Sequence, residues 1–337
     1  MKRSLSKLFV FLLKTTIIVG LFVYLATRAL QGSVFDELDF RTVSYPLLLL
    51  GLVSNFVATT ITILRWRSLV RALGSELSVF NAVKLGFIGF MFNLSPVGVV
   101  GGDAIRIVML VRRHNIPLEN ATASGIVDRV VGLVAMFILG LFVCVITGFY
   151  RAPSQEAQFV VKGLIFLTLA SFVFLALFTT SSRILHFFAS LAEKIPIVGN
   201  ASRKIIFAVA TYREKKRALA TSLLSSLTAH SFFAISLYCA AKGLFHEVPS
   251  LINHFILYCA GNVGSIIPLS AGPFEYFLDE LYPLFPIVGR EAFDKGYGAT
   301  IGSAYRLITV VVAFVGVISY LFERRTIRAT LHADDLE

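Results

Sequence analysis

Charge is scarce in this chain. Asp, Glu, Lys and Arg make up 15% of its 337 residues, where soluble domains carry about 25%. With 56% hydrophobic residues and a mean hydropathy of +0.79, that deficit excludes an ordinary soluble domain and implies an integral membrane protein. Cysteine is scarce too. Cys144, Cys239 and Cys259 all fall in apolar runs, which argues against a disulfide framework or a thiolate metal site. There is no Walker loop, so no ATP motor is expected, and neither HExxH nor GxSxG occurs. His230 and His254 have no second ligand at metal spacing and read as core or interface histidines. No metal and no cofactor is expected, and the chain is not expected to be an enzyme.

What is present is a set of six long apolar runs, at 9–27, 43–64, 126–149, 159–180, 218–241 and 297–321. Each is about the length that crosses a bilayer core. The basic start MKRSLSK resembles that of a signal peptide. The apolar run after it is long and lacks a small-residue cleavage site, so it reads as an uncleaved span. Of the 31 Lys and Arg residues, 22 fall on the side that holds both termini and 7 on the other. The bias predicts cytoplasmic termini. It explains the net charge of +11 as a topology signal with an attraction to anionic lipid heads, so nucleic acid is not an expected partner. Residues 181–217 become a basic cytoplasmic loop, and the RWRSLVR run from Arg65 to Arg71 a juxtamembrane anchor.

Two further apolar segments are interrupted. One runs from Lys84 to Arg106 and the other from Ile252 to Phe277, each broken by a proline–glycine cluster. Each half of that kind is too short to span, and broken backbone at membrane depth survives only where protein or a water-filled cavity satisfies it. Under the charge bias, the first enters and leaves from the cytoplasm and the second from outside. The expected fold is therefore one all-α membrane domain, residues 1–337. It has about six transmembrane helices plus two oppositely oriented re-entrant hairpins, as an inverted repeat of about 9–150 and 159–323. Such a pair marks a transporter's binding site.

The polar residues of these segments are the candidate translocation site. In the first hairpin they are Asn93, Gly101, Gly102, Asp103 and Arg106, with Ser95, Pro96 and Gly98 at the break. Glycines free the backbone, and a helix start there can hold an anion; Asp103 can equally be a plain N-cap. Asp128 and Arg129 begin the third span and, being adjacent on a helix, should each find a partner elsewhere. Interfacial anchoring is the alternative for both. Arg306 lies near the middle of the last span, where an arginine is a functional-site hypothesis. Its fork suits a phosphate, and a structural ion pair with Glu275 or Asp128 is the alternative. Arg129 is its counterpart in the first half. In the second hairpin, Asn262, Pro268, Ser270, Gly272, Pro273 and Glu275 repeat the same residue types; the helix dipole alone could favour Glu275.

The ordered set NLSPVGVVGGDAIR, GIVDRVVGL, IIPLSAGPFE and GSAYRL resembles the flippase-like, lysylphosphatidylglycerol synthase transmembrane region family, over about residues 10 to 323. The second hairpin departs from the family's usual glycine-richer cluster, and Pro273 stiffens it. In the multiple peptide resistance factors, which carry this domain ahead of a soluble synthase domain, it moves aminoacylated phosphatidylglycerol between leaflets. Relatives are linked to polyprenyl-phosphate sugars or hopanoids. No such soluble domain is read in this chain, so synthase activity is not carried over. The resemblance implies a bacterial or archaeal inner-membrane flippase or scramblase for a phosphate-containing lipid, with a lipid as partner and a homo-oligomer left open. The alternatives are a membrane enzyme using Asp103, Asp128 or Glu275 as base, or a non-catalytic partner in lipid or lipid-linked glycan synthesis.

Overall fold

The computed structural model describes residues 2–31, 34, 38, 41–94, 99–180, 190, 199–267, 269–285 and 293–332. These residues form eleven α-helices and no strand: α1 Lys2–Gln31, α2 Tyr45–Ala72, α3 Val79–Asn93, α4 Val99–His114, α5 Leu118–Ile146, α6 Gln155–Thr180, α7 Gly199–Thr211, α8 Lys216–Leu244, α9 Leu251–Gly261, α10 Pro273–Leu281 and α11 Tyr297–His332. Six stretches are long and apolar enough to cross a membrane: Leu13–Gln31, Tyr45–Ala72, Leu118–Ile146, Gln155–Val173, Lys216–Leu244 and Tyr297–Phe322. Their outer faces keep large apolar side chains exposed, among them Phe142, Phe159 and Phe166. Such a surface suits lipid rather than water.

Local chemistry sets the helix starts. Ser78 Oγ accepts from the Asn81 amide at 3.2 Å at the head of α3, and Ser250 Oγ from the Asn253 amide at 3.4 Å at the head of α9. Each hydroxyl satisfies one of the unpaired first-turn donors. Several boundaries differ from hydropathy. The second span continues beyond residue 64 to Ala72, and the third begins at Leu118, well before residue 126. Polar residues end an apolar window, but Arg, Leu and Ala are good helix formers and carry the backbone on. The stretch 181–217 is not simply a loop, since it carries α7; 181–189 and 191–198 lie outside the described residues.

The most extensive helix pair is α2 with α8. The two run antiparallel: Leu48 meets Gly243, Gly51 meets Cys239, and Arg65 meets Ser226. Ser54 Oγ donates to the Phe232 carbonyl at 2.7 Å, and Ser236 Oγ donates back to the Gly51 carbonyl at 2.8 Å. Both serines are buried. Around this pair the contacts come in matched sets. Helix α3 packs on α11 and α9 on α5; α4 on α5 and α10 on α11; α2 on α11 and α8 on α5. The first helix of each broken segment thus leans on the last long helix of the opposite half. Phe92 meets Tyr320 edge-to-face at 5.8 Å on one side, and Gly140 closes on Cys259 on the other.

Candidate functional site

The described residues of each interrupted segment include two helices, α3 and α4 in the first and α9 and α10 in the second. In the first, the break at 95–98, with Ser95, Pro96 and Gly98, lies outside the described residues. Gly101, Gly102 and Asp103 were expected at a turn and a helix start. They lie inside α4, which begins at Val99. Gly102 serves a close approach instead: a Cβ there would collide with the Gly89 carbonyl and the Asn93 side chain of α3. In the second segment, Pro268 is outside the described residues, and Gly272 sits at φ 101° just ahead of α10. Its amide donates to Glu275 Oε2 at 2.8 Å, so Glu275 caps its own helix.

Each candidate carboxylate holds an arginine on another element or turn. Asp103 bridges two of them: Arg106 on its own helix, and Arg129 of α5, whose Nε donates to Asp103 Oδ2 at 2.8 Å. Glu275 is fully buried, and its Oε1 accepts from Arg306 Nε of α11 at 2.7 Å. Of the two readings open for Arg306 in the sequence, the ion pair with Glu275 is thus present. Asp128 accepts from Arg65 Nε of α2 at 2.8 Å. Both of those side chains are over nine-tenths buried. Arg65 Nη1 also donates to Ser226 Oγ at 2.7 Å. Because α5 starts at Leu118, Asp128 and Arg129 stand about 15–17 Å along it rather than at its mouth.

These groups border one cavity of about 360 Å³. Its walls include Asn93, Arg106, Asp128, Arg129, Ser270 and Arg306; Asn262 also lines it. Gly101, Gly102, Asp103, Gly272 and Glu275 do not line it; Asp103 and Glu275 act from behind through their arginines. Among the described residues at the cavity, four arginines (Arg65, Arg106, Arg129 and Arg306) meet three carboxylates, one positive charge in surplus. Arg106 also lies over the Trp66 ring, 4.8 Å from Cζ to its centroid. His230 lines the same cavity. Its Nε2 lies 3.0 Å from the Gly132 carbonyl, which can only accept, and its Nδ1 lies 3.1 Å from the Tyr258 hydroxyl. His254 is bonded at both nitrogens, to Ser250 O and Tyr282 Oη, away from the cavity. Among the described residues no group of three or more His, Cys, Asp or Glu is placed to hold a metal ion.

Residues 11–316 match the family model described as the lysylphosphatidylglycerol synthase TM region. The chain belongs to that family. It is a multi-pass membrane protein, and membership is consistent with a lipid-related role in the membrane. No curated protein matches it.

For this family member, hydropathy and motif spacing missed Arg65. It was assigned to a juxtamembrane anchor, yet it is buried and ion-paired beside the cavity. A signal existed: Thr59, Thr62 and Arg65 recur at i+3 along an apolar helix, which puts them near one face. His230, Tyr258 and Tyr305 were also missed as wall residues. Nothing in their spacing marks them, because three separate helices bring them together.

A second charged cluster lies away from the cavity. Arg28 of α1 reaches Glu280 at 2.7 Å and Asp279 at 3.3 Å, and Lys295 reaches Glu280 at 2.5 Å. Asp279 Oδ1 also accepts from the Gly296 amide at 2.6 Å and the Ala299 amide at 3.2 Å, which caps α11. Burial alone would raise the Glu280 carboxyl, but hydrogen bonds and charge from Arg28 and Lys295 outweigh it and hold it below its ordinary value.

Proposed function

We propose that this protein carries the head of a phosphate-containing lipid from one membrane leaflet to the other, while the acyl or prenyl tails stay in the bilayer. The observation that supports this most is the arginine-rich cavity between the two broken segments. Lipid tails cannot solvate a phosphate, and guanidinium groups can replace its lost water with charge-assisted hydrogen bonds. A cavity with a surplus cation suits an anion. In this reading the two broken segments re-enter the membrane from opposite faces, both termini are cytoplasmic, and the halves form an inverted repeat in a prokaryotic cytoplasmic membrane. The antiparallel α2–α8 pair and the matched contacts around it support the inverted relationship. The halves would rock about the cavity in alternating access. The protein would act as a transporter and not an enzyme. A lipid gradient or the membrane potential, about 2.3 kcal/mol per charge per 100 mV, would set direction.

The test is leaflet exchange in proteoliposomes holding purified protein and a lipid labelled on its acyl chain. Loss of outer-leaflet label to a membrane-impermeant quencher is followed in time. Exchange well above protein-free vesicles, with the lipid chemically unchanged, supports transport. Chemical turnover of the labelled lipid would favour the enzyme reading. Neither activity, with a stably bound partner protein, would favour a scaffold.

A further inference from the structure

The wall of the cavity comes through to the outside of the protein along α5. That helix gives the wall Asp128, Arg129, Gly132, Leu133 and Met136. Asp128 and Met136 are buried, whereas Leu133 is 40% exposed and the Arg129 side chain 43%. Among the described residues that line the cavity, Arg129 and Leu133 alone are exposed. They stand four residues apart, on one face of the helix. Ile126, also exposed, comes three residues before Arg129 on that face. Further along, the face is covered where Gly140 closes on Cys259 of α9.

Depth decides what lies outside this opening. Helix α5 is long and apolar enough to cross a membrane, and Leu133 stands about 22 Å from its start, near the middle of its length. The surroundings at that depth are hydrocarbon. An arginine turned toward hydrocarbon is costly. Asp103 offsets part of that cost, and a lipid phosphate against the guanidinium would offset more. Leu133 suits the opposite kind of neighbour, an apolar chain. A water-filled mouth would satisfy Arg129 but wet Ile126 and Leu133, at about 25 cal/mol per Å² of apolar surface. A lipid supplies both neighbours in one molecule, with its charge and its chain in the order in which the helix presents them.

We propose that the face of α5 from Ile126 to Leu133 is a side portal, through which a lipid enters the cavity from the bilayer. Arg129 meets the phosphate first, and the tail lies across Leu133 and remains outside. Arg129 then governs capture, and the more enclosed Arg306 governs passage. This rests on the transport reading and adds to it a place of entry and a site for the tail.

The three native cysteines are buried, so a single added cysteine can be labelled. Leu133→Cys is purified, part of it is modified with a bulky fluorescent maleimide, and both forms enter proteoliposomes. The variant is compared with itself, so a folding defect does not imitate the result. Modification should abolish most of the leaflet exchange. The same modification of Phe166→Cys, on the outer face of α6, should leave exchange intact. Vesicles with dibrominated acyl chains should quench the label at 133, and aqueous iodide should not; this arm needs no exchange to be read. Arg129→Gln should raise the lipid fraction for half-maximal exchange about tenfold, with little change in the maximal rate. Full exchange by the modified protein overturns the portal and leaves transport standing. So does quenching at 133 by iodide alone, a cysteine at 133 that the maleimide does not reach, or an Arg129→Gln defect confined to the maximal rate. Absence of exchange by the wild-type protein would instead overturn the transport reading.

Discussion

Arg306 Nε donates to Glu275 Oε1 at 2.7 Å, and Arg129 Nε donates to Asp103 Oδ2 at 2.8 Å in the same structural place of the other half. In each case a carboxylate early in the second helix of a broken segment grips an arginine of the long helix that follows. The two grips differ in wetness. Glu275 is fully buried and Arg306 24% exposed at its side chain, whereas Arg129 is 43% exposed. The Glu275–Arg306 pair is thus the more enclosed of the two.

Arg306→Ala should slow leaflet exchange about 10–100-fold, the worth of one charged hydrogen-bonded contact. Membrane insertion, read by protease protection, should be unaffected. Unchanged exchange would remove Arg306 from the head-group site. Arg306→Lys should restore only part of the rate, because a point charge lacks the planar fork.

Asp128→Ala leaves Arg65 buried without its carboxylate. The expected loss is about 3–5 kcal/mol, read as a lower thermal midpoint in detergent. A double change, Arg65→Met with Asp128→Leu, should recover most of that stability and none of the exchange. Recovery of both would show the pair to be scaffold alone.

Gly102→Ala places a methyl group against the Gly89 carbonyl and Asn93. Overpacking of this kind costs about 1–3 kcal/mol, and it should also depress exchange by wedging α3 from α4. Gly125→Ala, where a Cβ meets open space, is the matched control and should change neither midpoint nor rate.

Glu280 offers a pH test. Its carboxyl is held below its ordinary value of 4.5 by Arg28 and Lys295 against the opposing effect of burial. A depressed folded value means the contribution is complete above about pH 4.5 and fades as pH falls toward the lower folded value. The difference in thermal midpoint between wild type and Glu280→Gln should therefore be constant above that pH and shrink below it. A difference independent of pH would place the effect in packing rather than charge.

The spans and the two interruptions were legible because lipid imposes long apolar runs and proline with glycine breaks them visibly. Asp128 and Arg129 were recognisable as partners for other helices from their adjacent positions alone. Arg65 was not, since a basic residue just after an apolar run has the same pattern whether it snorkels or turns inward. Gly102 was misplaced for a related reason: glycine suits both a turn and the tight crossing of two helices, and only the facing backbone of Gly89 tells which. His230 carries no local mark; its place comes from the Gly132 carbonyl of α5 and the Tyr258 hydroxyl of α9 brought opposite it.

The reciprocal serine bonds between α2 and α8 have a mechanical implication. Ser54 and Ser236 stitch these helices to each other's carbonyls, so sliding or splaying them would orphan buried donors on both sides. In the transport reading proposed above, they form a fixed axle, and the parts that swing are the wings mounted around it.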